Sequence, residues 1–216
     1  MPAIIPYAAT ALAHLAQAVQ PILKRGGILA VPTETFYALS VNPFDAAAVD
    51  RLCAVKGRPA GLPILVLVAG RRDLALFAER VSPAASALME AFWPGPLTLL
   101  FPARDSLPAA LTGGTERIGV RVSSSGPLRE LLERVGPLTG TSANRTGAPP
   151  ACTAQEVHAA LGDEVDAIVD AGATPGGLPS TVVEADDVLR VVRVGAIAED
   201  RLEAALRTRG FSLKKS

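Results

Sequence analysis

The chain has 216 residues, 49% of them hydrophobic, enough to bury a sizeable core in one domain. Lysine plus arginine equals aspartate plus glutamate at 21 each, which argues against a broad nucleic-acid coat but leaves room for a local basic cleft. The only histidines, His14 and His158, and the only cysteines, Cys53 and Cys152, argue against histidine catalysis, a zinc centre and a disulfide framework. No apolar run reaches membrane-span length, and MPAIIPYAAT lacks the charged start and long apolar centre of a signal peptide, so a cytosolic protein is expected.

In chain order, residues 10–25 read as a helix, with Leu12, Leu15, Val19 and Ile22 on one face. Pro21 is expected to kink or restart it, and Gly26-Gly27 to end it. A buried strand, Ile28 to Val31, then runs into Pro32-Thr33-Glu34-Thr35, where proline stops the ladder and hydroxyls follow. Asp45 can cap the next helix, whose Val49, Leu52 and Val55 face inward and whose end delivers Lys56 and Arg58 around Gly57. Hydroxyls at a strand end opposite two cations make a candidate anion pocket.

Leu62 to Val68 reads as a second buried strand. Ser82-Pro83 starts a helix with Leu88, Met89 and Phe92 on its apolar face, and Trp93-Pro94-Gly95-Pro96 is a stiff turn before strand Leu97 to Phe101. The lone tryptophan is expected to pack. Residues 103–116 form a Pro-, Gly- and Thr-rich loop, and Ile118 to Val122 is a strand carrying Arg121 among apolar residues. A cation there needs an anionic partner unless the strand lies at an edge, where Arg121 reaches water.

Pro127 to Arg134 is a short helix, and Leu138 to Thr141 a short strand opening into Ser142-Ala143-Asn144. Thr153 and Glu156 form a capping box on the helix to Leu161. Strands follow at Ala167 to Asp170, Ser180 to Val183 and Val188 to Arg193, with a glycine-rich loop over 171–179 and a last helix from Glu199 to Arg209. Residues 211–216 read as a loose tail. This amounts to about eight strands and five or six helices, an α/β pattern whose surplus of strands implies a mixed sheet in a single domain.

Thr33, Thr35, Lys56, Arg58, Arg121, Ser142, Asn144, Ser180 and Arg193 all fall in strands, at their ends or on the adjoining loops. The set is rich in cations and hydroxyls and poor in carboxylates, with Glu34 the main acid. It suits a polyphosphate and not glycoside hydrolysis. Neither GxxxxGK[ST] nor GxGxxG occurs, so side chains would hold a nucleotide. Without an obvious base, the expected reaction uses a nucleophile that is already anionic, such as a carboxylate or carbamate oxygen attacking a phosphoryl group.

VPTETFYAL (31–39), KGRP (56–59), FWPGPLTLLFPA (92–103), IGVRV (118–122), TSANRTGAPP (141–150) and STVVE (180–184), followed by VVRVGAI (191–197), resemble in order the YrdC-like family of threonylcarbamoyl-AMP synthases. The resemblance implies a twisted α/β sheet with a concave basic cleft. It implies that L-threonine, bicarbonate and ATP, with Mg²⁺, give threonylcarbamoyl-AMP and pyrophosphate. The product would feed, through downstream threonylcarbamoyl transferase proteins, the N6-threonylcarbamoylation of adenosine 37 in tRNA. Carried over, Lys56 and Arg58 would neutralise the ATP phosphates as the catalytic pair; Thr33, Thr35, Arg121 and Ser180 would take threonine; and Thr141, Ser142, Asn144 and Arg193 would line the nucleotide pocket. No protein metal ligand is expected. The length resembles the family's short form. The chain departs from the family pattern at Ala38-Leu39-Ser40, Leu62, Leu67 and Ser123-Ser124-Ser125, which bears on the amino-acid pocket and one phosphate contact. Two alternatives stay open: a double-stranded RNA or tRNA binder of the same fold, and a paralogue using another carbamoyl donor or amino acid.

Overall fold

The site is assembled from two sheets whose strands interleave along the chain. The computed structural model describes residues 1–7, 12–59 and 61–214. Its strands are β1 (Ala3–Pro6), β2 (Leu29–Pro32), β3 (Tyr37–Ser40), β4 (Leu65–Val68), β5 (Leu97–Pro102), β6 (Arg117–Val122), β7 (Leu138–Thr139), β8 (Thr141–Ser142), β9 (Ala167–Asp170), β10 (Thr181–Ala185) and β11 (Leu189–Arg193). Its α-helices are α1 (Leu12–Lys24), α2 (Ala46–Lys56), α3 (Pro83–Phe92), α4 (Ala109–Thr112), α5 (Gly126–Val135), α6 (Ala154–Leu161) and α7 (Glu199–Arg207).

One sheet has five strands in the order β1-β9-β2-β3-β8, the other six in the order β11-β10-β5-β6-β4-β7. Both mix parallel and antiparallel pairs, as the surplus of strands over crossover helices requires. The mixed α/β expectation holds, but the strands form two sheets. The predicted strand over Leu138 to Thr141 splits between them: β7 pairs with β4 in one sheet and β8 with β3 in the other. The crossing falls at Gly140, where an added Cβ would lie 2.6 Å from Leu67 Cγ. Only a residue without a side chain lets the two sheets close up there.

The helices form where their local signals lie. Asp45 accepts from Ala48 N at the head of α2, Ser82 caps α3 with Pro83 behind it, and the Thr153–Glu156 box caps α6. α1 runs unbroken through Pro21, so the helix does not restart there, and its predicted residues 10 and 11 lie outside the described residues. The main core joins α2, α3, α6 and α7 to both sheets, while α1 and α5 build a second cluster with Leu29, Val31 and Leu67. β2 and β4 feed both clusters by alternation, which is why they read as continuous apolar runs.

Several expectations are corrected. PTET does not lead directly into a helix: it is the turn of a β2–β3 hairpin, with Pro32 opposite Tyr37. The strand expected from Leu62 begins at Leu65, and Leu62 is exposed. Strand β1 and the short helix α4 carried no sequence signal. The tail is fastened as far as Lys214, whose N–H donates to Leu189 O at 2.8 Å beside buried Leu213; residues 215–216 lie outside the described residues. Among the described residues no helix is long and apolar enough to cross a membrane.

Candidate active site

A cleft of about 570 Å³ lies between the two sheets. Its floor is one face of the six-stranded sheet. Leu65 and Leu67 of β4, Thr98 and Leu100 of β5, and Gly119 and Arg121 of β6 line it, with Ser180 and Val182 at the start of β10. Each pair is two residues apart, so it projects to one side, while Val66, Leu99, Val120 and Val183 project into the main core. The opposite wall comes from the five-stranded sheet: Thr33 and Thr35 from the hairpin turn, Tyr37 and Ala38 from β3, and Thr141 and Ser142 from β8.

The hairpin turn is braced by its own hydroxyl. Thr33 Oγ1 donates to Phe36 O (2.8 Å) and accepts from Thr35 N (3.1 Å). The Thr33 and Thr35 hydroxyls lie 3.1 Å apart within one hydrogen bond, and both residues line the cleft. Gly176 N donates to Thr35 O (2.7 Å) and Tyr37 Oη donates to Gly172 O (2.8 Å), so the glycine-rich segment is pinned across this turn.

Lys56 ends α2, and Gly57 follows in a left-handed conformation (φ 59°) that turns the chain toward Arg58. The two cations do not present themselves as a matched pair. Lys56 is buried, and its Nζ donates to Ser142 O (2.7 Å), Asn144 Oδ1 (2.8 Å) and Asn144 O (2.9 Å), with Ser142 Oγ at 3.3 Å. Its charge is spent on shaping the 142–144 loop. Burial first, then the neighbouring Arg58 charge, lowers its pKa to about 8, still cationic at neutral pH. Asn144 accordingly stands behind the cleft rather than in its lining: its Oδ1 accepts from Lys56 and Ser142, and its amide donates to Ala148 O. Arg58 donates from Nη2 to Pro63 O at 2.7 Å, and its Nε is buried with no partner. Burial lowers its pKa as well.

Arg121 is 4% exposed in a strand flanked on both sides, so the edge-strand reading is excluded. Its anionic partner is Glu34: Nη2 lies 2.5 Å from Oε1, a close ion pair without the alignment of a hydrogen bond. Nε donates to Gly95 O at 3.2 Å. Burial pushes the Glu34 pKa up, but the Arg121 charge and the Ser123 hydroxyl outweigh it and hold the carboxyl below its ordinary value. Ser123 donates its hydroxyl to Glu34, Ser124 N donates to Oε1 (3.2 Å), and Ser125 caps α5. The triple serine is thus occupied with Glu34 and a helix end rather than with the cleft.

Arg193 is exposed at the rim and donates to Ser180 O at 2.9 Å. Crowding by the protein and the Arg121 charge lower its pKa. The Ser180 hydroxyl shares a 2.9 Å hydrogen bond with Thr98 Oγ1. Every predicted site residue except Asn144 therefore lines the cleft: Thr33, Thr35, Lys56, Arg58, Arg121, Thr141, Ser142, Ser180 and Arg193. Thr98, Leu100, Gly119 and Val182 were missed. The two-residue spacing of Thr98 and Leu100 in β5 held the signal, but with a single hydroxyl in an otherwise apolar strand no polar face stood out. Trp93 packs against the main core and donates to Leu97 O (2.7 Å), as expected.

The Sua5/YciO/YrdC family model, which carries the description "Telomere recombination", matches residues 21–195. A Pyrococcus abyssi protein named threonylcarbamoyl-AMP synthase is 34% identical over 188 residues, covering 85% of this chain and 55% of its own length. A Thiobacillus denitrificans protein of the same name is 39% identical over 163 residues, covering 75% of this chain and 86% of its own. The chain therefore spans little more than half of the first relative and most of the second. A crystal structure of P. abyssi Sua5 complexed with L-threonine superposes with a TM-score of 0.87 at 29% identity, over 95% of this chain and 60% of that one. The ordered motifs, the two-sheet cleft and these matches converge, and the chain belongs to the Sua5/YciO/YrdC family.

Proposed function

We propose that the protein is an L-threonylcarbamoyladenylate synthase, a nucleotidyltransferase that converts L-threonine, bicarbonate and Mg²⁺–ATP into threonylcarbamoyl-AMP and pyrophosphate, acting as one catalytic domain. The observation that carries this reading is the cleft's cation pattern. Lys56, Arg58, Arg121 and Arg193 all line one recess whose lining, among the described residues, contains no carboxylate, and desolvation by the surrounding protein first, then the neighbouring Arg58 and Arg121 charges, lower the pKa of Lys56 and of Arg193. Mutual repulsion of that kind is relieved by a polyanion. Arg58 and Arg193 keep N–H groups for the phosphates, Arg121 shares the recess with the hydroxyls of Thr33, Thr35, Thr98 and Ser180 and would take the threonine, and Ser142 and Thr141 would form the nucleotide wall. The names of the curated relatives and the threonine complex of the Sua5 protein support the same assignment.

The chemistry follows from alignment. The threonine amine adds to carbon dioxide derived from bicarbonate and loses a proton, giving a carbamate. One carbamate oxygen attacks the α-phosphorus in line, and the bond to pyrophosphate breaks. The arginines absorb charge as it moves onto the leaving group, and no protein base is needed for that step. In this reading Mg²⁺ enters with the nucleotide, as the counter-ion of its phosphates. We further infer that the product passes in the cytoplasm to threonylcarbamoyl transferase proteins acting on tRNA.

Incubation with all three substrates should release pyrophosphate and yield a threonylcarbamoyl adenylate detectable by mass spectrometry. Pyrophosphate release that ignores L-threonine overturns the assignment.

A further inference from the structure

Glu34 sits between Thr33 and Thr35, both of which line the cleft, yet it is absent from the lining itself. Its carboxylate is turned the other way and fully engaged. Oε1 meets Arg121 Nη2 and accepts from Ser124 N, and Oε2 accepts the Ser123 hydroxyl. An acid so placed does not compete with a ligand in the recess. It stands behind the guanidinium.

A guanidinium is a rigid planar fork, so fixing two of its nitrogens fixes the direction of the third. In Arg121, Gly95 O holds Nε by a hydrogen bond and Glu34 sits against Nη2 as an ion pair, and Nη1 makes no hydrogen bond among the described residues. The clamp also spans the two sheets. Glu34 belongs to the β2–β3 turn, whereas Arg121, Ser123 and Ser124 belong to β6 and the segment after it. It therefore sets the separation between the turn hydroxyls and the guanidinium.

We propose that Glu34, braced by Ser123 and Ser124, is a positioning residue that aims Arg121 at the carboxylate of the amino-acid substrate and so makes the site selective for a free α-carboxylate. This rests on the reading that Arg121 receives that carboxylate. Glu34 touches no substrate, and its contribution is geometric.

The test compares L-threonine with L-threoninamide, which lacks the carboxylate, using the full chain. Glu34→Gln should raise KM for threonine about ten-fold or more, leave KM for ATP within about two-fold, and reduce the preference for threonine over threoninamide by about ten-fold. Ser123→Ala, which removes one neutral donor, should move the same readouts in the same direction by a smaller factor, and Ser123→Thr should restore them. Should Glu34→Gln fail to fold, the two Ser123 variants decide the matter alone. Equal rises in both KM values, or an unchanged threonine preference in a folded Glu34→Gln protein, overturn the proposal. Arg121→Ala separates the two claims. If it retains the threonine preference, the assignment of Arg121 to the carboxylate fails. If it loses the preference while Glu34→Gln keeps it, only the positioning role fails.

Discussion

Within one cleft, Lys56 and Arg58 are two residues apart and carry the same charge, yet they are used in opposite ways. Lys56 is buried and surrounded by four oxygens of the 142–144 loop. Arg58 makes one hydrogen bond, to Pro63 O, and keeps a buried Nε with no partner. Arg193 follows Arg58, tethered through Nη2 to Ser180 at the rim, while Arg121 lies between the extremes: Glu34 and Gly95 hold two of its nitrogens, and Nη1 makes no hydrogen bond among the described residues. A saturated cation shapes the site, and one with spare donors binds in it. Sequence proximity does not separate the two roles; hydrogen-bond satisfaction does.

The largest effect should come from Lys56→Met, which keeps the apolar stem but removes every donor. Each buried acceptor left unpaired costs about 1–3 kcal/mol, so stability and turnover should fall together, by several kcal/mol and by orders of magnitude respectively. Urea denaturation and pyrophosphate release measure both. Arg58→Ala should break the symmetry of the comparison. Turnover should drop about a hundred-fold or more with the unfolding midpoint nearly unchanged, because the charge lost is one held for the ligand. A stable, inactive Lys56→Met protein would erase the distinction.

Gly140→Ala tests the seam between the sheets. The new methyl meets Leu67 Cγ at 2.6 Å, and overpacking of that kind costs about 1–3 kcal/mol in urea unfolding. Leu67→Ala in the same chain should recover part of the loss. The smallest effect is on pH. Lys56 titrates at about 8 when folded, below its ordinary 10.5, so the unfolded chain binds the extra proton between those values. Stability from this group therefore rises with pH across that window, with a slope of at most about one proton. Nucleotide affinity should run the other way, weakening as pH rises through 8, and Lys56→Met should lose both dependences. Denaturation midpoints and nucleotide titrations from pH 7 to 10 check this.

What the sequence revealed was local. The Asp45, Ser82 and Thr153 caps were legible because the capping side chain and the N–H groups it accepts lie within three residues. The cleft cations stood out because charge inside an apolar strand or at a strand end needs a reason. Tyr37–Ser40 escaped notice because it is buried on both faces and shows no alternation, and β1 because its partner, β9, lies at the far end of the chain. Arg121 announced that it needed an anion but could not name Glu34, some 87 positions earlier. The direction of Lys56 Nζ was hidden for the same reason: its acceptors come from a loop 86 to 88 residues away.

The two-residue spacing of the cleft floor has a further implication. Thr98 and Leu100 face the recess, while Leu97, Leu99 and Phe101 between and beside them anchor the same strand in the main core. Exchanging a recess-facing residue thus recuts the wall of the recess while the foundation beneath it stays set, so the shape of the cavity can change without the strand losing its footing.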